Sequence, residues 1–220
     1  MGVAVVTGAN RGIGLELVRQ LRQRGANVIA VCRHTSAALD ALGVRVEAGF
    51  DVTDPTARDE LGRRLDGASI DLLVQNAGVL IEDSLEEVDG NDVRRQFEIN
   101  ALAPLLLTCA LLPNLKSGAK IALITSRMGS MGDNGSGGYY GYRMSKAALN
   151  AAGVSLAVDL QPRGIAVGIL HPGAVRTDMT GGGGMIDPEQ SVRGLLARID
   201  ELSLENSGRF LHESGETLPW

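Results

Sequence analysis

Val3-Ala4-Val5-Val6-Thr7 runs directly into Gly8-Ala9-Asn10-Arg11-Gly12-Ile13-Gly14, and the reading of this stretch decides the fold. A short, nearly all apolar, β-branched-rich run is what a strand covered on both faces looks like. Glycines let backbone amides approach a ligand closely, and Ile13, Leu17 and Leu21 recur at helical spacing, so the loop opens straight into a helix. A helix start offers free N–H groups and the positive end of its dipole to a pyrophosphate. Strand, glycine loop and helix, in that order, is the context a dinucleotide-binding loop requires.

The same alternation continues outward. Strand-like runs follow at Asn27 to Cys32, Val44 to Ala48, Asp71 to Val74, Lys120 to Ile124 and Ile165 to Leu170. Helical patterns lie between them, the longest at Asp92 to Leu112 and Gly141 to Leu160. Repeated strand and helix give a mainly parallel sheet with right-handed crossovers and helices on both faces. With no linker, charge block or repeat, residues 1–220 read as one doubly wound (Rossmann) α/β domain. Ligands of such sheets bind beyond the carboxyl ends of the strands, so the residues just after each strand should carry the chemistry.

Composition excludes several classes. With 21 basic and 26 acidic side chains the net charge is −5, which argues against broad binding to nucleic acid or an anionic membrane. Cys32 and Cys109 each lie in an apolar run, outside any CxxC pair, and read as buried, reduced thiols of a cytoplasmic protein. His34, His171 and His212 are too scattered for a metal site, so none is expected. The greasy stretch Ala101 to Leu112 is interrupted by Pro104 and falls short of the roughly 18 apolar residues of a membrane span. Glycine is the unusual count, at 29 of 220 residues, nearly twice the average of about 7%, so the glycines should have positional roles.

An enzyme that prefers NAD carries Asp or Glu after the second strand, to bond the ribose 2′-hydroxyl. Here that place holds Arg33, whose guanidinium can pair with a 2′-phosphate in fork geometry, and Arg11 in the glycine loop adds a second positive charge. Both point to NADPH as cofactor.

The strongest chemical signal is Tyr142-Arg143-Met144-Ser145-Lys146. Positions i and i+4 share a helix face, so phenol and ammonium can reach one ligand together. A neighbouring cation favours phenolate and should lower the phenol pKa from about 10, which makes Tyr142 a general acid in reduction and a base in oxidation. Tyr139 has Arg143 four residues on and Tyr140 has Met144, so neither competes with a Lys partner. Thr125-Ser126 ends the fifth strand, where Ser126 can donate a hydrogen bond to a substrate carbonyl.

These features resemble the short-chain dehydrogenase/reductase family. The glycine spacing is GxxxGxG, and Ser126, Tyr142 and Lys146 stand in that family's catalytic order. The resemblance runs from Thr7 to about Thr177. It implies that Gly8, Asn10, Arg11, Gly12, Ile13 and Gly14 hold the cofactor, and that Asp51-Val52 meets the adenine. It also implies that Asn76-Ala77-Gly78 supports sheet and cofactor, and that Asn100 holds a water relaying protons from Lys146. By the same likeness Pro172-Gly173, Val175 and Thr177 lie against the nicotinamide, while Lys146 binds its ribose beside Tyr142. Gln75 departs from the family, which has Asn there. Within the family, Thr125 to Ser130, Tyr142 to Asn150 and Leu218-Pro219-Trp220 look like the C-factor and sniffer-type carbonyl reductase branch.

The expected activity is NADPH-dependent reduction of a small carbonyl substrate, with no nucleic acid or membrane partner and with a homodimer or homotetramer left open. The alternative is an NAD(P)-binding signalling or regulatory protein of C-factor type with little turnover. An α/β-hydrolase is set aside for want of GxSxG. The glycine-rich loop Asn134 to Gly138 should border the substrate. Gly181 to Gly184 reads equally as a lid or a slack connector.

Overall fold

The computed structural model describes residues 2–220. Among the described residues, seven parallel strands form one sheet: β1 Val3–Thr7, β2 Asn27–Val31, β3 Arg45–Glu47, β4 Ile70–Gln75, β5 Leu115–Ile124, β6 Ala166–His171 and β7 Phe210–His212. They lie in the order β3-β2-β1-β4-β5-β6-β7, so the chain reverses direction between β1 and β4. That is the topological switch point at which such a sheet opens a crevice. The strands named in advance are all present. The exception to that reading is β7, an additional edge strand paired to β6 in the register Ile169↔Phe210 and His171↔His212.

Two apolar layers cover the sheet. On one face Leu107, Leu111, Leu149, Leu156 and Leu160, from α5 (Ala103–Leu111) and α6 (Tyr140–Leu160), pack on Val5, Ile29, Leu73, Ile121 and Leu123. On the other, Leu17, Val18 and Leu21 of α1 (Gly12–Gln23) join Val192, Leu195, Leu196 and Ile199 of α7 (Pro188–Glu201) against Val6, Ala30 and Val74. Alternate strand residues serve alternate layers, which is why the central strands β1, β2 and β6 are nearly all apolar.

Helix α4 (Gly90–Phe97), a π segment (Glu98–Leu102), α5 and a closing 3₁₀ turn form one unbroken helical run from Gly90 to Asn114. By length and composition this run could cross a membrane, so Pro104 does not shorten it as the sequence suggested. A proline lacks an N–H and crowds the preceding turn, and the wider π turn just ahead accommodates both effects. Gln96, Asn100, Ala101, Leu107 and Leu111 of this run are buried in the protein. Cys109, on the opposite side of α5, is exposed, contrary to its expected burial, whereas Cys32 is buried. An apolar run on a half-covered helix need not bury every member.

Candidate active site

The glycine loop is held by β4. The Asn76 side chain donates to the carbonyls of Thr7 (3.0 Å) and Gly8 (3.2 Å), and Thr7 Oγ1 accepts from the Asn76 and Ala77 amides at 3.0 and 3.1 Å. A Cβ at Gly14 would stand 2.1 Å from the Gly8 carbonyl oxygen and 2.6 Å from Asn76 Nδ2, so only glycine lets helix, loop and β4 approach this closely. α1 starts with Arg11 at its N-cap and no side-chain cap. By contrast, α2 (Ala37–Asp40), α3 (Pro55–Arg64), α4 and α7 are capped by Ser36, Asp54, Asp89 and Asp187. The first amides of α1 thus keep their donors free of side chains, facing a crevice.

That crevice has a volume of about 550 Å³. It is lined by Gly8, Asn10, Arg11, Gly12, Ile13, Gly14, Arg33, Asp51, Val52, Asn76, Ala77, Gly78 and Thr177, all named from the sequence. Val31, Cys32, His34, Phe50, Val79, Ile99, Arg176, Asp178 and Met179 complete the lining and were not foreseen. His34 and Phe50 follow strands β2 and β3, so strand-end position was the signal that could have found them. Asp51 is held below the usual carboxylate range, mainly by the Thr53 amide (2.9 Å), with the Thr53 hydroxyl (2.7 Å) and Arg33 adding to it. Arg11 lies 3.5 Å from Asp178, an exposed pair that a stronger anion could displace. The uncapped α1 start, the close-packed glycines and Arg33 fit a phosphate-bearing dinucleotide.

Ser126, Tyr142, Lys146 and Asn100 gather beyond this cleft, at the ends of β4 and β5, without lining it. Ser126 caps a 3₁₀ turn (Arg127–Gly129), accepting from the Met128 amide at 3.1 Å, and its hydroxyl stands near enough to the Tyr142 phenol to favour the phenolate. Burial pushes that phenol up to about 12, only partly offset by Ser126. This corrects the expectation that Lys146 lowers it. The Lys146 ammonium donates to the Ile124 carbonyl at 2.9 Å, and its own burial holds it down at about 8. Burial and Ser126, not this ammonium, set the shift of the phenol.

Asn100 is buried within the π segment. Its Oδ1 accepts from the Val79 amide (2.8 Å), and its Nδ2 donates to the Val79 carbonyl (2.8 Å) and Ser145 Oγ (3.0 Å). Its amide thus ties the strand end after β4 to the helix bearing Tyr142. Gln75 reaches farther than the family's Asn, donating to the Pro104 carbonyl at 3.2 Å and so anchoring α5.

Pro172 and Gly173 turn the chain after β6, with the Pro172 carbonyl accepting from Ser191 Oγ at 2.6 Å and Gly173 at φ +84. Val175 is buried, and the Thr177 methyl lies 3.4 Å from where a Gly12 Cβ would stand, placing Thr177 over the glycine loop. The Gly181 to Gly184 loop is stitched at its base by Arg176 N to Ile186 O (2.9 Å) and Met185 N to Ala174 O (2.7 Å). Within the loop, Thr180 Oγ1 donates toward Gly183 O at 2.6 Å. The His171 and His212 rings are 5.1 Å apart, and burial pushes His171 down to about 3, with His212, Arg127 and Lys146 adding to it.

Residues 2–183 match the family model described as short chain dehydrogenase. The chain is 45% identical over 226 residues to a 1-hydroxy-2-glutathionyl-2-methyl-3-butene dehydrogenase of Rhodococcus sp. (strain AD45), covering all of both chains. It is 49% identical over 154 residues to a C-signal protein of Myxococcus xanthus, covering 69% of this chain and 93% of that one. Among solved structures, the carbonyl reductase Sniffer of D. melanogaster superposes with TM-score 0.92 at 30% identity, covering 100% of this chain and 99% of that one. An NADPH-bound carbonyl reductase from chicken fatty liver gives 0.88 at 33%, covering 100% and 98%.

Proposed function

The chain belongs to the short chain dehydrogenase family of oxidoreductases, and from that premise we propose that it reduces an aldehyde or ketone to an alcohol with NADPH. One observation carries the reading: a buried phenol, Tyr142, near Ser126 and one helical turn from Lys146, stands at the carboxyl edge of the sheet next to the dinucleotide-sized cleft.

The glycine loop, Asp51, Asn76 to Gly78, Pro172-Gly173, Val175 and Thr177 would hold the cofactor, with Arg33 and Arg11 on its 2′-phosphate. The NADPH-bound structural relative supports that choice. When bound, the reduced nicotinamide supplies hydride. Ser126 donates a hydrogen bond to the substrate oxygen and steadies the charge that develops there. Tyr142 gives that oxygen its proton, and its burial keeps the phenol protonated until an alkoxide needs it. Lys146 holds the cofactor ribose beside Tyr142, and Asn100 fixes the geometry between them.

The glutathionyl alcohol dehydrogenase relative supports the reverse direction on the same residues, with Tyr142 accepting the proton. Likeness to the C-signal protein favours a second reading, a dinucleotide-binding regulatory protein. A binder of that kind has no need for a buried phenol near a serine hydroxyl and one turn from a lysine, which supports the enzyme. The test is NADPH oxidation, followed by absorbance, against a panel of aldehydes, ketones and quinones. Turnover with one class supports the proposal, and none with any of them overturns it.

A further inference from the structure

We propose that Arg127 is a positioning residue that holds together the two walls of the substrate site and thereby selects carbonyl substrates by size, an inference that rests on the roles given above to Ser126 and Tyr142. The first wall is the loop Ser130 to Tyr139, which joins the Ser126 turn to the helix of Tyr142. It leads from the turn that Ser126 caps into the helix that bears Tyr142, so it flanks the reactive pair in the chain. The second wall is Glu213 to Trp220, which folds back on β7 through the Leu211↔Thr217 bridge and Leu218 N to Phe210 O at 2.9 Å. Its Glu213 amide bonds the His171 carbonyl at 2.9 Å, and Glu213 Cγ lies 3.6 Å from where a Gly173 Cβ would stand. The second wall is therefore continuous with the Pro172-Gly173 turn.

The walls meet at two places. Gly132 N donates to Trp220 O at 2.8 Å. Arg127, the residue after Ser126, reaches both walls at once: its Nη2 donates to Glu216 Oε2 at 2.8 Å and its Nε lies 3.3 Å from Asp133 Oδ2. All three charged side chains are part-exposed, and such pairs add little to global stability. The fold of the second wall rests instead on Phe210 and Leu218, buried with Ile169. Arg127 can thus govern where the wall stands without deciding whether it folds. The lip so held is apolar, with Trp220 stacked on Phe210 at 5.5 Å and Met131 exposed beside Gly132.

Trp220 is the chain's one tryptophan, so its emission reports the latch directly. Acrylamide quenching of Trp220 is compared in wild type, Arg127→Gln, Arg127→Lys, Glu216→Gln and the Arg127→Gln/Glu216→Gln double variant. The ratio of kcat/KM for a short aliphatic aldehyde over a bulky aryl ketone is measured in parallel. Arg127→Gln should raise quenching about twofold and shift the substrate ratio about tenfold with NADPH affinity unchanged, Arg127→Lys should recover part of both, and the double variant should match Arg127→Gln. Should Arg127→Gln fail to fold, Glu216→Gln supplies the same comparison. Unchanged quenching, additive effects, or looser quenching with an unchanged substrate ratio overturns the proposal. A wild type that reduces no carbonyl overturns the reduction reading instead, and the quenching comparison still decides whether Arg127 holds the wall.

Discussion

The Lys146 ammonium lies 5.8 Å from the centre of the Tyr142 ring and is bound to the Ile124 carbonyl, so the sheet edge rather than the phenol holds the cation. Its pKa falls from 10.5 to about 8 because burial disfavours the charge. Between those values the unfolded chain binds more protons than the folded one, so stability rises with pH across that window. Lys146→Met should remove this rise. Chemical denaturation at several pH values should show wild type gaining on the variant by about 3 kcal/mol from pH 8 to 10.5, and parallel curves would contradict the burial account.

His171 acts at the other end of the scale. Its pKa is depressed from 6.5 to about 3 by burial first, with His212, Arg127 and Lys146 adding to it. The unfolded chain takes up the proton first on acidification, so stability is lost as pH falls below 6.5. His171→Asn should lose less, retaining on the order of 3 kcal/mol more than wild type by pH 4 relative to their difference at pH 7. Denaturation midpoints that fall together would show that His171 takes no part.

Arg33 lines the cleft after β2, where no carboxylate stands to receive a ribose hydroxyl. Charge-assisted hydrogen bonds to phosphate are worth about 1.5–3 kcal/mol, so Arg33→Ala should weaken NADPH roughly ten- to hundredfold and NADH little. Titration calorimetry with both nucleotides tests this, and equal losses would remove the 2′-phosphate role.

Gly14 has no room for a side chain against Gly8 and Asn76. Gly14→Ala should cost about 3 kcal/mol or more and abolish dinucleotide binding, because the loop must move off β4. A variant that melts and binds like wild type would show that the packing there is loose.

The central strands were legible because they are covered on both faces and so carry a nearly unbroken apolar signal. Phe210–His212 was not, since a three-residue edge strand has too few positions to show a period. The glycine loop, Arg33 and Asp51 were legible as strand-end residues, and they do line one cleft. The state of the phenol was not. Helical spacing brought Tyr142 and Lys146 to one face, but the carbonyl that captures the ammonium belongs to Ile124, a partner across the fold. Asn100 shows the same limit: its helix was visible, while the π turn and the paired bonds to Val79 depend on tertiary contacts. Cys109 was misread because an apolar run does not say which side of the helix the sheet covers.

The central claim is that hydride passes to a carbonyl carbon while Tyr142 supplies the proton. NADPH deuterated at its transferring carbon, incubated with the best carbonyl of the panel, tests it when product is analysed for wild type and Tyr142→Phe. Wild type should place one deuterium on the carbinol carbon, and Tyr142→Phe should bind NADPH normally while forming that product some 10²–10⁴-fold more slowly. Product without deuterium, or a Tyr142→Phe rate equal to wild type, would contradict it.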